Sequence, residues 1–408
     1  MRHLLSVVLL ALPLAAWAQA DPIRALTEAE AVRFGLARTD LSDLERGTVE
    51  AAEADALAAG LFPNPTLGYS RDRNRGTHGA TEETWQIAQT FDVSGRRGLR
   101  REAADRRVDA ANAGNTLRRS EIAAEIRHRF HEALFKQETV RATKTWTQRF
   151  IRVESLVEKL AKAGEASGYD RRRLTRERQT AQARLSTEQA DLDRAAERLA
   201  ALIGLPGKAA ASITGVLPPT AMPPLDKALP RLEQRPDLQV LSRRAEAADL
   251  EGRAASRGWV PDVTLGVGPK RTDNGITREN GTLVTFSIPL PVFDRQQAGE
   301  KRAVAEALNA RAEYNLTRAS AEGDLRGLHR QVERLTTAAN DYRAHAVAGS
   351  SELLRIAEAA YQGGESTLLE LLDAYRGALE AEITALNLEW KAREARIEYD
   401  LLTGSVTE

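Results

Sequence analysis

The chain is written nearly twice. The run Pro63-Asn64-Pro65-Thr66-Leu67-Gly68 returns as Pro261-Asp262-Val263-Thr264-Leu265-Gly266, 198 positions later. Further along, Gly164-Glu165 returns as Gly364-Glu365 and Leu202-Ile203-Gly204 as Leu402-Thr403-Gly404, now 200 positions later. Self-similarity at this period is too long for a solenoid of small units. It implies duplication of a whole structural unit and a protomer with pseudo-two-fold structure.

Each repeat reads as a helix, a pair of strands and two long helices. The first helix is predicted over 27–59, ending at Gly60 with Pro63 and Pro65 beyond it as stop signals. In the strands that follow, Leu67 and Tyr69 point one way. Trp85, Ile87 and Phe91 share a face, with Gln86, Ala88 and Thr90 opposite. Residues 71–83 are expected to form an exposed loop. The second repeat matches: Val263, Leu265 and Val267 alternate with Thr264 and Gly266, and Val284, Phe286 and Ile288 alternate with Thr285 and Ser287. Its loop is expected to contain Asp273-Asn274-Gly275 and Asn280-Gly281, both strong turn signals. Four short strands cannot close a barrel alone, and isolated hairpins are poorly stable in water. One apolar and one polar face is the pattern of a membrane barrel with a wet lumen. Several protomers that each give four strands to one barrel would satisfy both constraints.

Residues 96–163 and 295–362 contain no proline. A helix of roughly 65 residues is a rod about 100 Å long. The returning helices carry seven-residue spacing, with Leu185, Leu192 and Leu199 in one line and Leu372, Leu379 and Leu386 in another, accompanied by Leu368 and Tyr375. This is coiled-coil patterning. Between the halves, Pro218, Pro219, Pro223, Pro224, Pro230 and Pro236 interrupt any helix. The expected organisation is a leader over 1–20, a first repeat over 21–217, a proline-rich connector over 218–236 and a second repeat over 237–408.

The leader follows from Arg2 and His3, the apolar run Leu4 to Ala16, and the small-x-small site Ala18-Gln19-Ala20, a pattern of secretory signal peptides. The run is shorter than a spanning helix needs. The chain has no cysteine, which excludes disulfides, thiolate metal sites and a cysteine nucleophile. Its 58 basic residues balance 58 acidic ones, so nothing draws it to nucleic acid. No nucleophile elbow, phosphate loop or zinc-protease motif is present, so the chain reads as neither an enzyme nor a cofactor binder. His128 and His131 share a helical face, but a lone pair of this kind is more often solvated than metal-binding, and no metal site is assigned.

The two hairpin turns stand out. Gly164-Glu165 and Gly364-Glu365 end one helix and let the chain reverse. Ser366 or Thr367 can cap the next helix, with Glu370 in its first turn. Glu370 and Asp373, three apart, lie on one face. In a symmetric oligomer they would repeat around the axis as a carboxylate ring, which selects cations at a pore mouth.

Together these features resemble the TolC-like outer-membrane efflux proteins, the outer-membrane factors of tripartite pumps. The resemblance covers the whole mature chain. It rests on the duplication, on Pro63-Asn64-Pro65, on Gln89-Thr90-Phe91 leading to Gly95-Arg96-Arg97, on Gln234-Arg235-Pro236-Asp237-Leu238 opening the second repeat, and on Tyr361, Gly364 and Leu372-Asp373-Ala374 at the second tip. It implies a mainly α protein with a small β part: a homotrimer whose twelve strands form one barrel in outer-membrane lipid, above a coiled-coil α-helical barrel in the periplasm. The hairpin turns, with Gly164, Glu165, Gly364 and Glu365, would meet a periplasmic adaptor (a membrane fusion protein) and an inner-membrane transporter of the resistance-nodulation-division type. Trp85, Ile87, Val284 and Phe286 would face lipid, while Leu67, Tyr69 and Leu265 are weaker candidates for that face. Glu370 and Asp373 match acids ringing the periplasmic entrance. Asp170 matches an acid that helps lock the closed tip in well-known members. Its basic partner there falls at Ser366 here, so that lock cannot form in the same way; Arg171, Arg172 or Arg173 could substitute beside Tyr361. The Gln-Thr-Phe to Gly-Arg-Arg segment is most similar to the cobalt–zinc–cadmium branch. The function implied is a passive exit duct, energised by its partner, for heavy-metal cations or, alternatively, for drugs or secreted proteins. A periplasmic adaptor is the rival, but adaptors need several β-rich domains. A purely structural coiled coil would not need Trp85 and Phe286 facing outward.

Overall fold

The computed structural model describes residues 25–75, 79–162, 167–207 and 213–404. The leader, His78 and the first tip pair Gly164-Glu165 lie outside the described residues. The chain opens with α1 (Glu28–Leu36) and α2 (Thr39–Gly60). Thr27 and Glu30 form a reciprocal capping box at the start of α1, which satisfies two of the first turn's unpaired amides. The single helix expected over 27–59 is instead two. Arg38 takes an extended conformation and donates to the Leu202 carbonyl (3.2 Å) and to Asp40 (3.0 Å). This break lets Ala31 and Gly35 of α1 pack down onto the following long helix.

After the strands β1 (Thr66–Arg73) and β2 (Thr81–Phe91), α3 (Arg96–Lys162) runs unbroken for 67 residues, about 100 Å at 1.5 Å per residue. Its apolar residues recur with helical period, which produces the buried stripe Ile126, Phe130, Ala133 and Leu134 and, further along, Trp146, Phe150, Val153 and Val157. Such side chains each contribute roughly 1.5–3 kcal/mol on burial. The chain returns as α4 (Gly168–Leu202), crosses α5 (Leu225–Ala228) and a 3-10 turn (Leu229–Gln234), and enters α6 (Pro236–Ser256). Pro236 therefore does not interrupt a helix; it occupies the first turn of α6, where its missing N–H costs nothing.

The second repeat continues through β3 (Val263–Asp273), β4 (Arg278–Ser287), α7 (Gln297–Tyr342), a π-turn (Arg343–Val347), α8 (Ala348–Gln362) and α9 (Leu368–Leu402). The rod expected over 295–362 is thus interrupted only by the π-turn. There Arg343 reaches two acids of α9, Glu389 (2.5 Å) and Glu382 (3.1 Å). Leu372, Leu379 and Leu386 of α9 are buried, as is Leu199 of α4, while Leu185 and Leu192 are half-buried.

The strands form one antiparallel sheet in the order β1-β2-β3-β4, so the β2–β3 junction joins the two repeats. Leu67 pairs with Ile87, Ile87 with Val267, and Val267 with Val284, giving one apolar row across all four strands. Tyr69 pairs with Trp85 and Leu265 with Phe286 on the same face. The opposite face is polar: Thr90 and Thr264 hydroxyls meet at 2.9 Å, and Gln86 donates to Thr285. A side chain at Gly266 would run into both of those last two groups. Two loops are shorter than expected. The strands extend to Arg73 and resume at Thr81. Asn280-Gly281 lies within β4, opposite Arg271 and Lys270, and is no turn. The actual turn is at Asn274, whose side-chain oxygen accepts from Ile276 N (2.9 Å) and Thr277 N (2.7 Å), with Gly275 at φ 80°.

The connector is held rather than loose. Arg393 of α9, buried to 9% exposure, donates to the carbonyls of Leu217 (2.9 Å), Val216 (3.0 Å) and Pro218 (2.6 Å). Arg396 adds Thr220 at 2.8 Å.

Candidate functional site

The second hairpin tip is built from a helix stop and a helix start. Glu365 N donates to Ala360 O (2.8 Å) and Gly364 N to Tyr361 O (3.2 Å), with Gly364 at φ 74°. This pair of bonds is the Schellman ending, which requires the left-handed conformation glycine adopts at no steric cost. Three residues later Thr367 and Glu370 close a capping box. Glu370 Oε2 accepts from Thr367 N (2.8 Å) and Oγ1 (3.1 Å). Glu370 and Asp373 are both exposed on the first turns of α9. Among the described residues, Ser366 Oγ is buried without a hydrogen-bond partner.

The first tip starts α4 in the same way. Ser167 caps it, and Asp170 returns the interaction, accepting from Ser167 Oγ at 2.7 Å. Tyr361 lies within the field of Asp170. Burial first, and the Asp170 charge second, push its hydroxyl pKa up. Among the described residues, no ion pair joins Arg171, Arg172 or Arg173 to Asp170, Glu370 or Asp373.

A residue pair that sequence reading missed ties the two hairpins together. Glu177 of α4 is buried to 5% exposure and takes Arg376 of α9 at 2.5 Å. Burial pushes its carboxyl pKa up, but hydrogen bonds and charge from Arg376 and Arg176 outweigh this and hold it below the usual range. The two residues lie 199 positions apart, one on each returning helix.

The histidines do not converge. His128 Nε2 lies 3.0 Å from Glu394, and His131 Nε2 lies 3.0 Å from Glu28. No cluster of three potential metal ligands occurs among the described residues. Burial pushes the His131 pKa down, against the pull of Glu28. Burial raises the Glu28 carboxyl, yet its hydrogen bonds to His131 and Arg127 hold it at about 2. This buried network joins α1, α3 and α9 through Arg127 and Asp400.

On the sheet, Trp85, Ile87, Val284 and Phe286 share one face with Leu67, Tyr69, Leu265 and Val267, and all are exposed. A contiguous bare apolar surface of this kind marks contact with lipid or protein. Among the described residues, no helix is long and apolar enough to cross a membrane.

A sheet with one bare apolar face, carried on helices about 100 Å long, fits the strand contribution of one protomer to an outer-membrane channel. The outer membrane efflux protein family profile matches residues 231–405. The cobalt-zinc-cadmium resistance protein CzcC of Cupriavidus metallidurans is 26% identical over 362 residues, covering 87% of this chain and 84% of that protein. The pyoverdine export outer membrane protein OpmQ of Pseudomonas putida is 23% identical over 399 residues, covering 89% and 83%. The crystal structure of the outer membrane protein VceC of Vibrio cholerae shares the fold, with a TM-score of 0.78, 21% identity, and coverage of 93% of this chain and 97% of that one. The family is one of channel proteins rather than enzymes. Its members work as trimers with adaptors and inner-membrane pumps.

Proposed function

We propose that this protein is the exit duct of a tripartite efflux system that passes heavy-metal cations. It acts as a homotrimer, docked through an adaptor to a transporter of the resistance-nodulation-division type. The observation that carries the cargo is the similarity to a cobalt-zinc-cadmium resistance protein over most of both chains. The weaker similarity to a pyoverdine export protein supports a second reading, an organic metal chelate as cargo. On either reading the duct performs no catalysis and binds no cofactor. Residues 21–217 and 237–408 are two efflux repeats joined by 218–236. Trp85, Ile87, Val284 and Phe286 face lipid, and Gly364 and Glu365, with Gly164 and Glu165, meet the adaptor. Asp170, Arg171, Tyr361 and Ser366 surround the closed tip, where the missing basic partner leaves the gate without its usual lock.

Glu370 and Asp373 form the entrance ring. Three copies bring six carboxylates near one axis, where like charges repel one another and draw in cations. The double variant Glu370→Gln/Asp373→Asn tests this cleanly, because glutamine can still close the capping box with Thr367. In planar bilayers it should lose cation selectivity and block by multivalent cations, with normal trimer yield. In a deletion strain the parent protein should restore resistance to cobalt, zinc and cadmium salts. Unchanged selectivity would reduce both acids to helix caps, and failure to restore resistance to any of the three metals would remove metal cations as cargo.

A further inference from the structure

The charges of the sheet are sorted by face. Both hairpins turn at the end of the sheet away from the long helices. Moving toward those turns, the bare apolar face ends at a row in which Tyr69 stands opposite Trp85, with ring centroids 4.8 Å apart. The next two rows on that face are charged. Arg71 stands opposite Glu83, and Glu83 opposite Arg271. One step further, Asp273 stands opposite Arg278, with Arg73 on the same face of β1, because side chains alternate along a strand. Four guanidiniums therefore share this face with two carboxylates. On the opposite, polar face the balance is reversed. Asp72 stands opposite Glu82, Glu82 opposite Thr272, and Thr272 opposite Glu279, so that three carboxylates occupy one row. Lys270 stands beside them, 2.7 Å from Glu82. A sheet bathed by the same solvent on both faces has no reason to segregate its charges in this way.

We propose that Arg71, Arg73, Arg271 and Arg278 form a binding surface for the phosphate groups of an outer-leaflet glycolipid, with Arg73 and Arg271 as its principal contacts. This rests on the reading that the apolar face meets outer-membrane lipid, with the helices in the periplasm. The hairpin turns then point outward, and the arginine rows lie at the level of the outer leaflet.

Depth and chemistry agree with that placement. Aromatic rows flank the apolar band of a membrane barrel, and their amphipathic rings sit at headgroup level. The Tyr69–Trp85 row marks that level. The first arginine row lies two residues beyond it, about 7 Å along an extended strand, where an arginine on the lipid face costs little. The outer leaflet of such a membrane is built from phosphorylated glycolipid, and its phosphates stand at this depth. Two of the four guanidiniums already have carboxylate partners, Arg278 with Asp273 at 2.7 Å and Arg71 with Glu83 at 3.4 Å. The other two do not. Among the described residues Arg73 makes no ion pair, and Arg271 makes none either, its Nε donating to the Asn280 side-chain oxygen at 3.4 Å. Both are exposed. A guanidinium presents a planar fork that takes phosphate through two parallel hydrogen bonds.

Lipid retention by the purified trimer, read by native mass spectrometry in mild detergent, tests the proposal. The parent protein should hold diphosphoryl lipid A about tenfold or more tighter than dephosphorylated lipid A or phosphatidylglycerol, as charge-assisted pairing to phosphate requires. Arg73→Gln/Arg271→Gln should lower diphosphoryl lipid A to the level of the other two, with unchanged trimer yield, because neither side chain holds a carboxylate. Arg73→Lys/Arg271→Lys should recover only part of the difference, because an ammonium lacks the fork. Lys270→Gln, on the opposite face, should bind like the parent. Equal retention of both forms of lipid A by the parent would overturn the proposal even where a variant assembles poorly. Undiminished binding by the double glutamine variant, or an equal loss in Lys270→Gln, would overturn the assignment to these arginines. Phosphatidylglycerol held as tightly as diphosphoryl lipid A would overturn the choice of glycolipid. A parent protein that fails to insert into phospholipid vesicles would instead remove the lipid-facing reading, and this proposal with it.

Discussion

Replacing Phe286 with arginine should abolish stable insertion in the outer membrane while leaving the helical part of each protomer folded. Phe286 stands opposite Leu265 on the bare face of the sheet and takes no part in the buried clusters. Its removal therefore makes no cavity. The cost comes from placing a guanidinium in hydrocarbon, about 2–4 kcal/mol at the barrel midplane, incurred once in every protomer of the ring. Membrane fractionation should show loss of the trimer, and the helical circular dichroism of the protein recovered should be retained. Phe286→Leu should assemble normally. Equal trimer yield from the arginine variant would show that this face does not meet lipid.

Arg393→Ala should release the connector and lower the stability of the helical part. The guanidinium spans three carbonyls in succession, Val216, Leu217 and Pro218. A hydrogen bond to a charged group contributes about 1.5–3 kcal/mol. Bonds sharing one donor group do not add in full, so a loss of about 3 kcal/mol is expected. Arg393→Lys should recover only part of it, because an ammonium lacks the planar fork. The readouts are the thermal midpoint and the rate of proteolytic cleavage between Leu217 and Leu225. A midpoint within a degree of the parent, with cleavage unchanged, would show that the connector is held by its apolar contacts alone.

The long-range plan was legible because it depends on periodicity. Proline-free stretches foretold α3 and the α7–α8 rod, and alternation foretold which residues share a face of the sheet. Details that depend on particular tertiary contacts were not. The α1–α2 break at Arg38 requires the Leu202 carbonyl, and the π-turn answers to Glu382 and Glu389 on another helix. Asn280-Gly281 carries strong turn chemistry but sits in β4, because ladder pairing with β3 outweighs local preference. Pro236 was read as a breaker because proline excludes a helix interior, yet that same residue suits a helix start.

The candidate site divides in the same way. Gly364 was legible as a reversal, since only the left-handed conformation closes that helix end. Glu370 was legible as an acid in the first turn, but the choice between Ser366 and Thr367 as the cap was settled only by the structure, in which Thr367 engages Glu370. The Glu177–Arg376 bridge was hidden because neither residue belongs to a motif and the two come together only when the returning helices pack. The connector's anchor, Arg393, sits among apolar seam positions and looks like an ordinary helix-surface charge until its partners are seen.

The mass of the intact protein, extracted from outer membranes in mild detergent and measured by native mass spectrometry, tests the central claim most directly. A channel shared among protomers predicts a single species of three mature chains, each of the 44.7 kDa full-length mass less its leader. A single-chain mass, with the protein recovered from the soluble periplasmic fraction, would contradict it.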